Sequence, residues 1–145
     1  MEKNRKAPMI IALRIIIAIL TAVYSLTMVC MAGAGLIYNG ESYGRELVNV
    51  GIWLIVSGIL MTAGAVLCFM KKRIFAVLSI VLTIVGLVLC LVMVYIICSH
   101  ADSAGWADNF TMEPVSRMYR ARLLPVIVPA VMVIAADICK LRIKN

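Results

Sequence analysis

Two ionisable residues, Arg14 and Asp137, stand inside otherwise apolar stretches of the chain. A charge in hydrocarbon is costly unless it pairs or its stem carries it to the interface. Both residues fall near the same face of the topology derived below, on the first and last apolar segments. The simplest chemistry open to them is therefore an Arg14–Asp137 ion pair clasping those two segments. The competing reading is separate solvation: Arg14 has a stem long enough to snorkel, and Asp137 can reach Lys140 one turn on. No acid lies nearer the middle of any apolar segment, where a proton or ion path needs one.

A second polar group is Cys98-x-His100-x-Asp102. Zinc uses these ligand types, but a fourth ligand is unassigned and the spacing matches no strong zinc pattern, so no metal is expected. The five cysteines are Cys30, Cys68, Cys90, Cys98 and Cys139, with no C-x-x-C pair among them. That argues against a redox motif. Cys30 and Cys98 fall near one face and can be bridged, yet an odd number of thiols in apolar segments favours free, packed cysteines. Gly33 and Gly35 sit in an apolar helix and not in a phosphate-cradling loop. The single His lies in a loop, so no Ser/His/acid set assembles, and no cofactor is expected.

The elements that position these residues are set by Leu47–Met70 and Ile74–Ser99, two uncharged runs separated by Lys71-Lys72-Arg73. As helices they reach about 36 and 39 Å, against a hydrocarbon core of about 30 Å. Three cations cannot stay in hydrocarbon, so the chain turns there, and the short basic turn belongs in the cytoplasm. The composition agrees with a membrane protein: 64% of the 145 residues are hydrophobic and the mean hydropathy is +1.06, where soluble domains run nearer half apolar. The expectation is a single membrane domain over 1–145, an all-α four-transmembrane-helix bundle. The formal net charge of +7 is dispersed at segment ends, where it meets anionic lipid. It does not form a basic face with stacking aromatics, which excludes a nucleic-acid partner.

In order, span one covers about 9–38, after a basic start and Pro8. Its Ala32-Gly33-Ala34 resembles a signal cleavage site, but the apolar core is long for a signal peptide, so the span is expected to stay. Outer loop 39–46 opens with the turn signal Asn39-Gly40. Spans two and three are the runs 47–70 and 74–99. Outer loop 100–122 carries the glycosylation triplet Asn109-Phe110-Thr111. It ends in a short amphipathic helix, Pro114–Arg122, expected to lie in the interface. Span four, about 123–139, holds Pro125, suited to a first turn, and Pro129, which kinks the helix. Lys3, Arg5, Lys6, Lys71, Lys72, Arg73, Lys140, Arg142 and Lys144 flank one face; Arg45, Arg117, Arg120 and Arg122 flank the other. Both termini are therefore expected in the cytoplasm of a multi-pass cell-membrane protein.

Lipid offers no hydrophobic drive between helices, so close contact of small residues must hold the bundle. Ala76, Ser79, Thr83 and Gly86 recur at alternating three and four on span three, and Gly51, Gly58, Thr62 and Ala65 lie on a comparable stripe of span two. These two stripes are expected to form the inner seam of the hairpin. Small multidrug exporters are of similar size but use a glutamate in the first span, and Ile15–Tyr38 has none. The spans are rich in small-residue faces and poor in buried polar groups, and the loops are too short for a catalytic domain. That combination points to a non-enzymatic accessory or structural subunit, packed against a membrane-protein partner. A homo-oligomeric transporter or channel is the alternative, with Thr21, Tyr24, Ser25 and Thr27 as its polar stripe. A membrane enzyme built on Cys98–Asp102 and Arg117–Arg122 is the third reading.

Overall fold

The computed structural model describes residues 3–107 and 112–143. The Asn109–Thr111 triplet, Lys144 and the side chains of Lys3, Arg5 and Lys6 lie outside that description. Four helical rods are long and apolar enough to cross a membrane: Ile10–Tyr38, Arg45–Leu67, Arg73–Ala104 and Val115–Arg142. The shortest has 23 residues and reaches about 35 Å, enough for a core of about 30 Å. The protein is thus an all-α, multi-pass membrane protein. Each rod packs on the next in the chain and the first packs on the last, so the four form an up-and-down bundle.

The first rod comprises α1 (Lys3–Tyr24), a π-helical turn (Ser25–Cys30) and α2 (Met31–Tyr38). Its inward residues are Ile17, Thr21, Ser25, Val29, Gly33 and Leu36, mostly four apart. In an α-helix each four-residue step rotates the stripe by about 40°. The wider π turn offsets that drift and keeps the stripe facing its neighbours along the whole rod. Asn39 ends the rod, with both its backbone N–H and its Nδ2 donating to the Gly35 carbonyl at 3.1 and 2.8 Å. A single turn, α3 (Gly40–Tyr43), leads to Gly44 at φ 99°, a conformation that favours glycine.

The second and third rods are α4 (Arg45–Leu67) and α5 (Arg73–Ala104), joined through Cys68–Lys72. Gly105, at φ 65°, closes α5 in the left-handed conformation. The Trp106 N–H reaches the Ala101 carbonyl at 3.0 Å and the Gly105 N–H that of Asp102 at 3.4 Å, a Schellman end. The last rod is α6 (Val115–Ile143).

Two expectations about α6 are corrected. Pro114–Arg122 is not a helix separate from the fourth span: from Val115 onward it is the beginning of one 29-residue helix. It packs against the end of α5. Arg120 pairs with Asp102 at 3.2 Å, the Cys98 thiol lies 3.6 Å from the Ser116 carbonyl, and Tyr119 packs against the main core. For the same reason Pro125 is not in a first turn; it and Pro129 both lie inside the helix.

Candidate functional site

A fully buried carboxylate, Asp137, and a partly buried cation, Arg14, meet where α1, the end of α4 and α6 converge, beside the basic turn. Asp137 faces inward because it continues the α6 stripe Val126, Ala130, Val133 at four and three residue steps; it is 0% exposed. Arg14 comes from α1, one turn before the buried Ile17 and Ala18. Its Nη2 lies 3.5 Å from Asp137 Oδ1. The same nitrogen donates to the Cys68 carbonyl at 3.0 Å and approaches the Cys68 Sγ at 3.6 Å. Cys68 caps α4, so the guanidinium also sits at the negative end of that helix dipole. Lys140 Nζ donates to the Met70 carbonyl, tying α6 to the turn as well. Around the pair lie Ile17, Cys68 and Val133. Asp137 Oδ1, Asp137 Oδ2 and Arg14 Nε make no hydrogen bond among the described residues. Charge attraction in a low-dielectric pocket is therefore what holds the aspartate.

The site's chemistry is electrostatic: one cation neutralises a buried carboxylate and a helix end together, joining three of the four rods.

The small-residue stripes are arranged differently from the sequence expectation. On α5, Ala76, Ser79, Thr83 and Gly86 are all buried. They meet α4, but through Ser57, Met61 and Gly64. Ser79 Oγ donates to the Gly64 carbonyl at 2.7 Å. A Cβ on Gly64 would stand 2.3 Å from Thr83 Oγ1, and one on Gly86 would stand 2.7 Å from Met61 Cγ and 2.9 Å from the Ser57 carbonyl. Gly51 and Gly58 instead face the first rod. Each of Gly33 and Gly51 lies against the other's carbonyl, and a Cβ on Gly58 would stand 2.4 Å from Cys30 Sγ and 2.9 Å from the Ser25 carbonyl. Ala65, two turns beyond Gly58, is buried. Thr62 is half-buried and donates to the Gly58 carbonyl of its own helix at 2.8 Å. α4 thus carries two small-residue stripes, one for each chain neighbour.

The other sequence candidates are engaged structurally. The five cysteines are free thiols, Cys30 and Cys98 included. His100 stacks edge-on against Trp106, with ring centroids 5.2 Å apart, and Asp102 is taken by Arg120. Among the described residues no three His, Cys, Asp or Glu side chains gather as a metal site. Of the polar stripe on the first rod, Thr21 and Ser25 point inward, Tyr24 packs on the core, and Thr27 is exposed. Sequence reasoning missed the π turn, the Cys68 carbonyl as a partner of Arg14, and the Lys140–Met70 tie; none of the three carries a sequence signal. Comparison of the chain with known protein families, curated proteins and solved structures finds no match in any of them.

Proposed function

We propose that this protein is a non-enzymatic accessory or structural subunit of a larger membrane assembly. The observation that carries the reading is how the bundle's interior is used. Close glycine contacts fill both seams of α4. The buried Thr21 and Ser57 hydroxyls bond carbonyls of their own helices. The buried charge pair sits at one end of the bundle and not at its middle. Such an interior favours a fixed shape over a conduit. The surface left for interaction is the apolar outside of the rods, where Ile59, Val88 and Val128 are each more than half exposed. A homo-oligomeric transporter or channel gains less support, because Thr21 and Ser25 face into the bundle and not towards a neighbouring copy.

In this reading the protein lies in the cell membrane with the basic turn and both termini in the cytoplasm. Lys71, Lys72, Arg73, Lys140 and Arg142 cluster at that end, and Arg45, Arg117, Arg120 and Arg122 belong to the other. The first turns of α6, with Arg117 paired to Glu113 at 3.4 Å, sit at the opposite interface.

Photo-crosslinking side chains placed singly at Ile59, Val88 and Val128 in native membranes test the proposal. At least one face is expected to capture a different membrane protein as a discrete adduct. Adducts only to lipid or to a second copy, at all three positions, contradict it.

A further inference from the structure

The first and last rods touch along α1 but part beyond it. The π turn meets α6 only lightly, and α2 leans on α4 instead. Two cavities lie in the gap. The outer one, about 280 Å³, is bounded by Thr27, Gly35 and Asn39 on one side and Tyr119 and Arg122 on the other. The inner one, about 20 Å³, reaches Val94 and Cys90 of α5. They share Met28, Ala32, Tyr119 and Arg122 as walls, so together they form one cleft, polar at its mouth and apolar within.

Arg122 distinguishes this cleft from an ordinary groove between helices. Arg117 and Arg120 are paired with Glu113 and Asp102. Arg122 is exposed and has no acidic partner among the described residues. It stands seven residues before Pro129, the centre of the 29-residue α6, or about 10 Å from the middle of the helix. The hydrocarbon half-thickness is about 15 Å, and an arginine stem spans the difference. The guanidinium therefore reaches phosphate depth at the mouth of an apolar slot that opens sideways to the bilayer. We propose that this cleft binds an anionic phospholipid, with its phosphate on Arg122 and one acyl chain between the first and last rods. The cavity is smaller than the roughly 300–1,000 Å³ of pockets that enclose a drug-sized ligand. It suits part of one chain, the rest of the lipid staying in the bilayer.

The full-length protein, delipidated in mild detergent, is titrated with phosphatidylglycerol or phosphatidylcholine of identical chains, and adducts are counted by native mass spectrometry. One phosphatidylglycerol is expected to bind about fivefold more tightly than phosphatidylcholine, the preference one cation near the surface supplies. Arg122→Gln is expected to abolish that preference, while Arg45→Gln, at the same end of the bundle, retains it. Gly35→Leu provides a steric test that leaves the charge in place. A Cβ there meets nothing within 4 Å, so the fold accepts it while the side chain fills the outer cavity and lowers occupancy by both lipids. Equal binding of the two lipids overturns the proposal, as does an unchanged adduct in Gly35→Leu or an equal loss in Arg45→Gln. A cleft occupied by a partner's helix, and not by lipid, gives the first of these results.

Discussion

Arg14→Gln is expected to destabilise the folded protein by about 3–5 kcal/mol, the usual cost of stranding a buried charge, and Asp137→Asn by clearly less. The asymmetry follows from exposure. Asp137 is fully enclosed, and neither of its oxygens has a hydrogen-bond donor among the described residues; without Arg14 its charge is left uncompensated. Arg14 is 28% exposed. When Asp137 is neutralised, Arg14 keeps the Cys68 carbonyl and can turn its head towards the interface. Unfolding in graded SDS from mild-detergent micelles measures both losses. The reversed pair, Arg14→Asp with Asp137→Arg, is expected to recover part of the Arg14→Gln loss, though the Cys68 contact is forfeited. Equal, additive losses in the singles with no recovery in the reversed pair would mean that the two residues are solvated separately.

Gly86→Leu is expected to cost about 1–3 kcal/mol or more and to lower the yield of monodisperse protein, because overpacking forces neighbours apart. Met61 can yield somewhat; the Ser57 carbonyl, 2.9 Å from the new Cβ, is backbone and cannot move without α4. Gly58→Leu should cost a comparable amount at the other seam, against Cys30 and the Ser25 carbonyl. The two sites press on one turn of α4, Ser57–Gly58, from opposite sides, so their effects are expected to be coupled and not simply additive. Gly35→Leu, which meets open space, is the internal control and should unfold like the wild type. A Gly86→Leu protein indistinguishable from Gly35→Leu would show that the α4–α5 contact does not depend on close backbone approach.

The sequence exposed those features that depend on solvent. Hydrocarbon length and the cost of charge placed spans 47–70 and 74–99 close to the observed Arg45–Leu67 and Arg73–Ala104. The same cost of charge drew attention to Arg14 and Asp137, which stand 3.5 Å apart. What stayed hidden depends on which neighbour a face meets. Ser57, Met61 and Gly64 step by four and three on α4, Gly51, Gly58 and Ala65 by seven, so the two stripes share one seven-residue period, and periodicity cannot assign either to α5 or to the first rod. The π turn was invisible because Ser25–Cys30 has an ordinary apolar composition; only the run of four-residue steps around it shows what it corrects. In 114–122 Arg117 and Arg120 are exposed, but Ser116 is buried among the apolar residues, and from Val115 the segment runs unbroken into the last rod.

The most direct measurement of the central claim is the intact mass of the tagged protein, extracted in mild detergent from its own membrane, by native mass spectrometry. An accessory subunit predicts a complex of fixed ratio with a different membrane protein, whose mass is not a whole-number multiple of this 15.9 kDa chain. A mass that is a whole-number multiple of the chain, with nothing else bound but lipid, would contradict it and turn attention to transport by the protein alone.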